Sequence, residues 1–298
     1  MLFEDIKAIG EYPPEEIAAK LQQMDDPDTA NKFLERANAE QIGEAGIFGG
    51  SLQPWEHATH QFGYIAPLSQ GVKDLQQIQY AGALKPDETL KNGRINIRID
   101  QLRIYKYPGS GIHNVILTFA AQNRVAGSVE SVTFSQTYRV PEGQMAGISG
   151  YPIFIGLNIG SQGIAFECST VNIKNDSDEK ILETLESKPF KDGLNLLTTF
   201  QPVISPFTEV TLGIVKTLAA RNRNVAVQKF YLGLDFEQSA LGARLAEGNY
   251  IAVQVPSETT IDWNKWGFNP NTGAIVHRAN SMPLEHNFIV FRVSRYEE

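Results

Sequence analysis

The sequence predicts a mainly β protein: an antiparallel β-sandwich with an N-terminal helical hairpin and two inserted helices. Three observations predict it. Between Arg94 and Lys174, five strand-like runs follow one another with short turns marked by Gly and Pro, the cadence of a sandwich or barrel. Aromatic residues make up 10% of the chain, mostly phenylalanine and tyrosine, which favours strands. Strand-like runs resume after a helical stretch and reach the C-terminus, so one sandwich is expected to span about residues 94–298.

Residues 1–42 read as an acidic helical hairpin. Pro13-Pro14 starts a helix, and Glu15 and Glu16 sit in its first turn, where the dipole favours negative charge. Ile17, Leu21 and Met24 follow at helical spacing, and Asp25 to Pro27 breaks the pattern. A second helix is expected from about Asp28 to Glu40, with Ala30, Phe33, Leu34 and Ala37 on one face. Helices this short are marginal alone in water, so they must dock on their own sandwich or on a partner.

Residues 43–93 show little periodicity and read as a connecting arm with room for a short strand or helical turn, anchored by Trp55, Phe62, Tyr64 and Ile65. The β pattern then begins. Ile95, Ile97 and Ile99 alternate with polar residues, and Leu102 and Ile104 resume after Asp100 across a bulge. Further strands are expected at Ile112–Gln122, Val129–Val140, Tyr151–Leu157 and Gly163–Lys174.

A helical insertion is expected over about 176–222. Asp176 is a candidate cap with Glu179 three residues on, and Ile181, Leu182 and Leu185 supply the buried face. A second helix is expected to start near Ser205 with Pro206 at its first position. It should end at Arg221-Asn222-Arg223-Asn224, with Asn supplying a left-handed cap. Strands follow at Val225–Phe236, Tyr250–Val255 and Asn287–Arg295, with a weaker one at Ala274–His277. The arrangement compares with a jelly-roll or C2-like sandwich in architecture only, which does not settle function.

Charge is unevenly placed. The chain carries a net −8, yet residues 1–50 alone hold eleven acidic and four basic side chains, a net of −7. The remaining 248 residues hold 23 and 22. General nucleic-acid binding, which needs a basic surface, is disfavoured. Cys168 is the one cysteine, read as a small buried hydrophobe in a reduced, cytoplasmic setting. Neither a signal peptide nor a run of about 18 apolar residues is evident, so no transmembrane segment is expected.

No local motif announces catalysis. His57-x-x-His60 has metal-ligand spacing only if helical, and its one nearby acid is Glu56. His113 lacks a neighbouring nucleophile and carboxylate. Ser177-x-x-Lys180 matches a two-residue acyl-transfer pattern that capping already explains. Asp176, Asp178, Glu179, Asp235 and Glu237 are weak calcium candidates, should they converge at one end of the sandwich.

Two binding surfaces stand out. Lys216, Arg221 and Arg223 form a cationic spot at a helix end, with Lys229 close by, and the acidic N-terminal segment is a candidate to dock there. Trp263, Trp266 and Phe268 lie close together in a polar region; they either pin a loop to the core or form a platform for a sugar or a protein partner.

The expected function is therefore a non-catalytic protein-interaction or assembly module, engaging a protein partner through the acidic helices or the Trp263 loop. No cofactor is expected apart from the calcium alternative, and a homo-oligomer remains open. A ligand- or membrane-binding sandwich taking calcium, carbohydrate or lipid is the alternative. A hydrolase whose site assembles in space from His113, Asp235 or His286 is the third.

Overall fold

A computed structural model describes residues 2–41, 52–68, 71–125, 128–148, 150–174, 178, 182, 183, 185, 193–197, 201–237, 242–257 and 259–297. The sandwich is built from two large sheets. The larger has the order β10 (Leu194–Asn195), β8 (Tyr151–Asn158), β4 (Arg94–Ile104), β16 (Phe288–Arg295), β13 (Gly248–Val255), β1 (Thr59–Ile65) and β3 (Gln79–Tyr80), with β7 (Gln144–Met145) also on β4. The smaller runs β12 (Ala243–Arg244), β11 (Val225–Asp235), β9 (Gly163–Ile173), β5 (Ile112–Val125) and β6 (Ser128–Pro141). All the long pairings are antiparallel; only the two-residue strands β10 and β12 pair in parallel.

The alternation seen in the sequence decides which side chains meet between the sheets. On β4, Ile95, Ile97 and Ile99 point inward, and the register against β16 shifts beside Asp100 so that Leu102 and Ile104 point inward as well. They meet Val115, Leu117 and Phe119 of β5. Phe291 of β16 crosses the gap, with its ring 5.5 Å from Phe119 and 6.0 Å from Phe166.

Each sheet is also covered on its outer face. Helix α3 (Gln201–Ala220) lies over the smaller sheet, where Val215 and Leu218 join Ile116, Val171 and Ala226. A three-stranded sheet of β15 (Ala274–His277), β14 (Trp266–Asn269) and β2 (Gln76–Gln77), with the Trp263 turn, covers the larger. Ile261, Trp263, Phe268 and Ile275 there pack on Ile251, Val253 and Val290.

The arm thus contains more than a surface path. Thr59–Ile65 pairs along its whole length with β13 inside the larger sheet. Its sequence, Thr-His-Gln-Phe-Gly-Tyr-Ile, shows no alternation because both its faces are covered. Trp55, Tyr64 and Ile65 are buried anchors, as expected.

The N-terminal hairpin is α1 (Pro14–Gln23) and α2 (Pro27–Gln41). Ile17, Leu21, Met24, Ala30 and Phe33 belong to the main sandwich core, and Phe33 packs on Trp55 at 5.5 Å. Leu34, expected on the buried face of α2, is instead partly exposed. Phe3 and Ile6 enter the layer beneath α3, and the Glu167 carboxylate accepts the Leu2 and Phe3 amides.

Of the first inserted helix, Leu182, Glu183 and Leu185 are helical; Asp176, Ser177, Glu179, Lys180 and Ile181 lie outside the described residues. The second begins at Gln201 rather than near Ser205. Pro202, in the first turn, takes the place expected of Pro206, because a missing N–H costs nothing there. At its end the left-handed residue is Arg223, not an asparagine. Asn224 instead donates its amide to the Leu218 carbonyl, satisfying one of the free carbonyls of the last turn.

Candidate functional site

The cationic spot is neutralised from within. Lys216 pairs with Asp5 at 2.8 Å, Lys229 with Glu11 at 3.3 Å, and Arg223 with Asp25. The acidic segment docks where charge complementarity placed it, and the Asp5 carboxyl is held below its usual range by the Lys216 hydrogen bond and charge. Arg221 turns the other way, onto the buried Asp178, which also accepts from Asn224 at 2.7 Å. These cations therefore already have partners in their own chain.

Of the calcium candidates, Asp178 and Asp235 do not converge. Asp178 sits beside Asn224, just before the start of β11, and Asp235 ends that strand. The ten steps of β11 at about 3.3 Å each separate them by ~33 Å. Asp176 and Glu179 lie outside the described residues, and among the described residues no cluster of three or more His, Cys, Asp or Glu could hold a metal. His57 ends a single turn and His60 lies in β1, so the two are not presented on one helix face.

His113 and Asp235, named for a spatially assembled hydrolase, are likewise not brought together. His113 stands next to Asn114, which pairs with Ile173 at the Val225 end of the smaller sheet, far from Asp235. It is fully buried, edge-on to Tyr107 at 5.8 Å, and burial with the nearby Lys174 pushes its pKa down to about 4. His286 is likewise lowered, by burial and then by His57.

The Trp263 loop is pinned to the core. Trp263 and Phe268 are buried, while Trp266 is half-buried and edge-on to His277 at 5.3 Å. Asp262 caps the turn Trp263–Lys265 by accepting the Asn264 amide. Gln61 of β1 ties the loop down with both ends of its side chain, donating to Ile261 O at 2.7 Å and accepting Ile261 N at 2.8 Å. The indole lies over Gly63, where a Cβ would come within 2.9 Å of both Cη2 of Trp263 and Cγ2 of Ile78.

This packing leaves two adjoining depressions that share Gln61 and Tyr80. The larger, about 660 Å3, runs between the segment Gln77–Tyr80 and the loop Thr259–Asn264, with Ala83 at one end. Trp263 contributes to this wall although it is only 4% exposed, and its indole Nε1 is buried without a hydrogen-bond partner. The smaller, about 330 Å3, opens between Thr59–Phe62 of β1 and Lys229–Tyr231 of β11. His60 lies here against Phe230 at 4.9 Å; neither ring nitrogen completes a hydrogen bond, and burial pushes its pKa down to about 4 against the pull of Gln228.

Of the residues singled out in the sequence, the two depressions use Trp263, His60, Phe62 and Lys229. They add Tyr80, Gln77, Gln79, Gln61 and Asn264, which sequence reasoning passed over. The one local signal was the polar cluster Gln76-Gln77-Ile78-Gln79-Tyr80, which has no business in a packed strand. No family model, curated protein or solved structure matches this chain.

Proposed function

We propose that the protein is a non-catalytic binding module and that its site is the groove between Tyr80 and Trp263. One observation carries this: an indole N–H buried without an acceptor, in a side chain that contributes to the wall of a groove. Leaving a buried donor unpaired costs about 1–3 kcal/mol, and the cost is recovered when an incoming acceptor meets it. The volume falls in the range of ligand pockets, roughly 300–1,000 Å3, with a few polar groups converging on an aromatic wall. The scattered histidines and acids described above support a binding role over a catalytic one.

The test is a 15N-labelled sample and a fragment library of uncharged hydrogen-bond acceptors. The Trp263 indole resonance is assigned by its loss in Trp263→Phe. Saturable shifts of that resonance support the proposal. If no fragment moves it, the groove is not a binding site.

A protein partner is the second reading, and a specific feature favours it. Among the described residues no strand pairs with the outer edge of Thr59–Phe62, because β3 reaches only Gly63 and Tyr64. On β11, strand β12 covers only Leu234 and Asp235 and an isolated bridge from Ala8 covers Ala226, leaving Lys229–Tyr231 between them. Two open edges therefore face the smaller depression, a geometry that accepts an extended peptide as an added strand. Cross-linking of a bound peptide to Thr59 or Tyr231 would support it; retention of binding after Phe62→Pro, which blocks the β1 edge, would count against it.

A further inference from the structure

Resting on the reading of the groove as the binding site, we infer that its ligand is a neutral saccharide that stacks on Tyr80. The Tyr80 ring is braced on one side by backbone. A Cβ on Gly82 would come within 2.5 Å of its Cε1 and 2.8 Å of its Cζ, and a Cβ on Gly242 within 3.2 Å of its hydroxyl. Two glycines thus let the chain pass close beneath the ring, while Tyr80 as a whole stays 46% exposed. A large aromatic held close against backbone and left open to solvent, at the junction of two depressions, is a platform rather than a core residue.

The groups around the platform set the ligand class. The side chains of Gln77 and Gln79 are exposed and make no hydrogen bond among the described residues. Each amide offers a donor and an acceptor together, which matches a pair of adjacent hydroxyls. Trp263, whose indole N–H is buried without a partner, contributes to the same wall. Among the described residues the only formal charge on the larger depression is Asp262, already accepting from Asn264 and 3.6 Å from Lys265. An ion finds no counter-charge here. A sugar ring, with an apolar C–H face for Tyr80 and a hydroxyl rim for the amides, satisfies every free group without needing one.

The experiment titrates the full chain with neutral gluco-, xylo-, manno- and N-acetylglucosamine oligomers and, in parallel, with nucleosides, which also stack on an aromatic ring. Calorimetry and the Trp263 indole resonance are the readouts, on the wild type, Tyr80→Ala, Gln77→Ala and Trp263→Phe. Tyr80 and Gln77 are exposed, so both variants should melt like the wild type. At least one oligosaccharide series should bind saturably, with affinity falling tenfold or more in Tyr80→Ala and three- to tenfold in Gln77→Ala and Trp263→Phe. If a nucleoside or a library fragment shifts the indole and no saccharide does, the saccharide assignment is overturned while the groove stands. If a saccharide binds and Tyr80→Ala binds equally well, the platform is overturned. If nothing shifts the indole, both fall together.

Discussion

Asp25 and Arg223 lie nearly two hundred residues apart, each with a left-handed backbone (φ +60° and +71°), and their side chains form an ion pair. Asp25 closes the turn between α1 and α2, and Arg223 the turn after α3. The pair fastens the end of one helical layer to the tip of the other. It completes a row with Asp5–Lys216 and Glu11–Lys229 that joins the acidic N-terminus to the body of the sandwich.

The row orients the N-terminal segment more than it holds it. Exposed ion pairs are weak in water and weaker in salt. The apolar side chains Ile9, Ile17, Leu21 and Phe33 are buried, and each such burial contributes about 1.5–3 kcal/mol. Limited proteolysis in 1 M salt should therefore leave the hairpin protected, whereas Leu21→Ala, costing about 2–5 kcal/mol, should expose it at low salt. Release of the hairpin by salt alone would reverse this ranking.

The backbone at Asp25 separates two substitutions. Asp25→Gly loses the ion pair but removes the left-handed penalty, so its unfolding midpoint should stay close to wild type. Asp25→Val loses the pair and places a β-branched residue at φ +60°, which should cost about 1–2 kcal/mol in urea denaturation. Equal effects of the two would mean that the ion pair, and not the turn, governs this position.

Acid should destabilise the fold in a defined window. Unfolded imidazoles titrate near 6.5, while burial pushes His60 and His113 down to about 4. Between these values the unfolded chain binds protons that the native state refuses. Stability is therefore complete above pH 6.5 and is lost as the pH falls toward 4, by about 3 kcal/mol for each histidine. His60→Asn should remove one proton from this slope in urea melts taken from pH 7 to pH 4.5; an unchanged slope would show that His60 is protonated or exposed in the native state.

Asn287 is fully buried and carries four hydrogen bonds. It accepts the Tyr105 and Lys106 amides at 2.9 and 3.0 Å and donates to Lys106 O and Gln254 Oε1 at 2.8 and 2.9 Å. Gln254 in turn donates to Val227 O, so the chain of bonds crosses from the larger sheet to the smaller. Asn287→Leu keeps the volume but orphans all four groups, and should cost at least about 3 kcal/mol. A loss under 1 kcal/mol by chemical denaturation would mean that water replaces the side chain.

Much of the architecture was readable before any coordinates. Strand Arg94–Ile104 announced itself because one face turns to the core and the other is of different character, and the longer strands after it did so by runs of β-branched and aromatic residues between Gly and Pro turns. Strand Thr59–Ile65 did not. With core on one side and the Trp263 loop on the other, it buries His60 and Gln61 and needs Gly63 for clearance, so nothing in its sequence alternates. The Trp263 cluster was visible as aromatic density, but its placement was not: the same three rings serve equally for a platform or a peg. The ring that stands open, Tyr80, sat unnoticed among glutamines.

By itself, then, the sequence determined the mainly β class, the helical hairpin, the excess of acid at one end and the cations suited to receive it. These depend on periodicity and charge, which are local and additive along the chain. Only the tertiary structure decided that Asp178 and Asp235 stand at opposite ends of β11 and that Trp263 buries its ring while leaving its N–H without an acceptor. It likewise brought Gln77, Tyr80 and Asn264 to a single groove. Those facts depend on which strands become neighbours, and neighbours nearly two hundred residues apart are chosen by the packing of whole sheets, not by any segment alone.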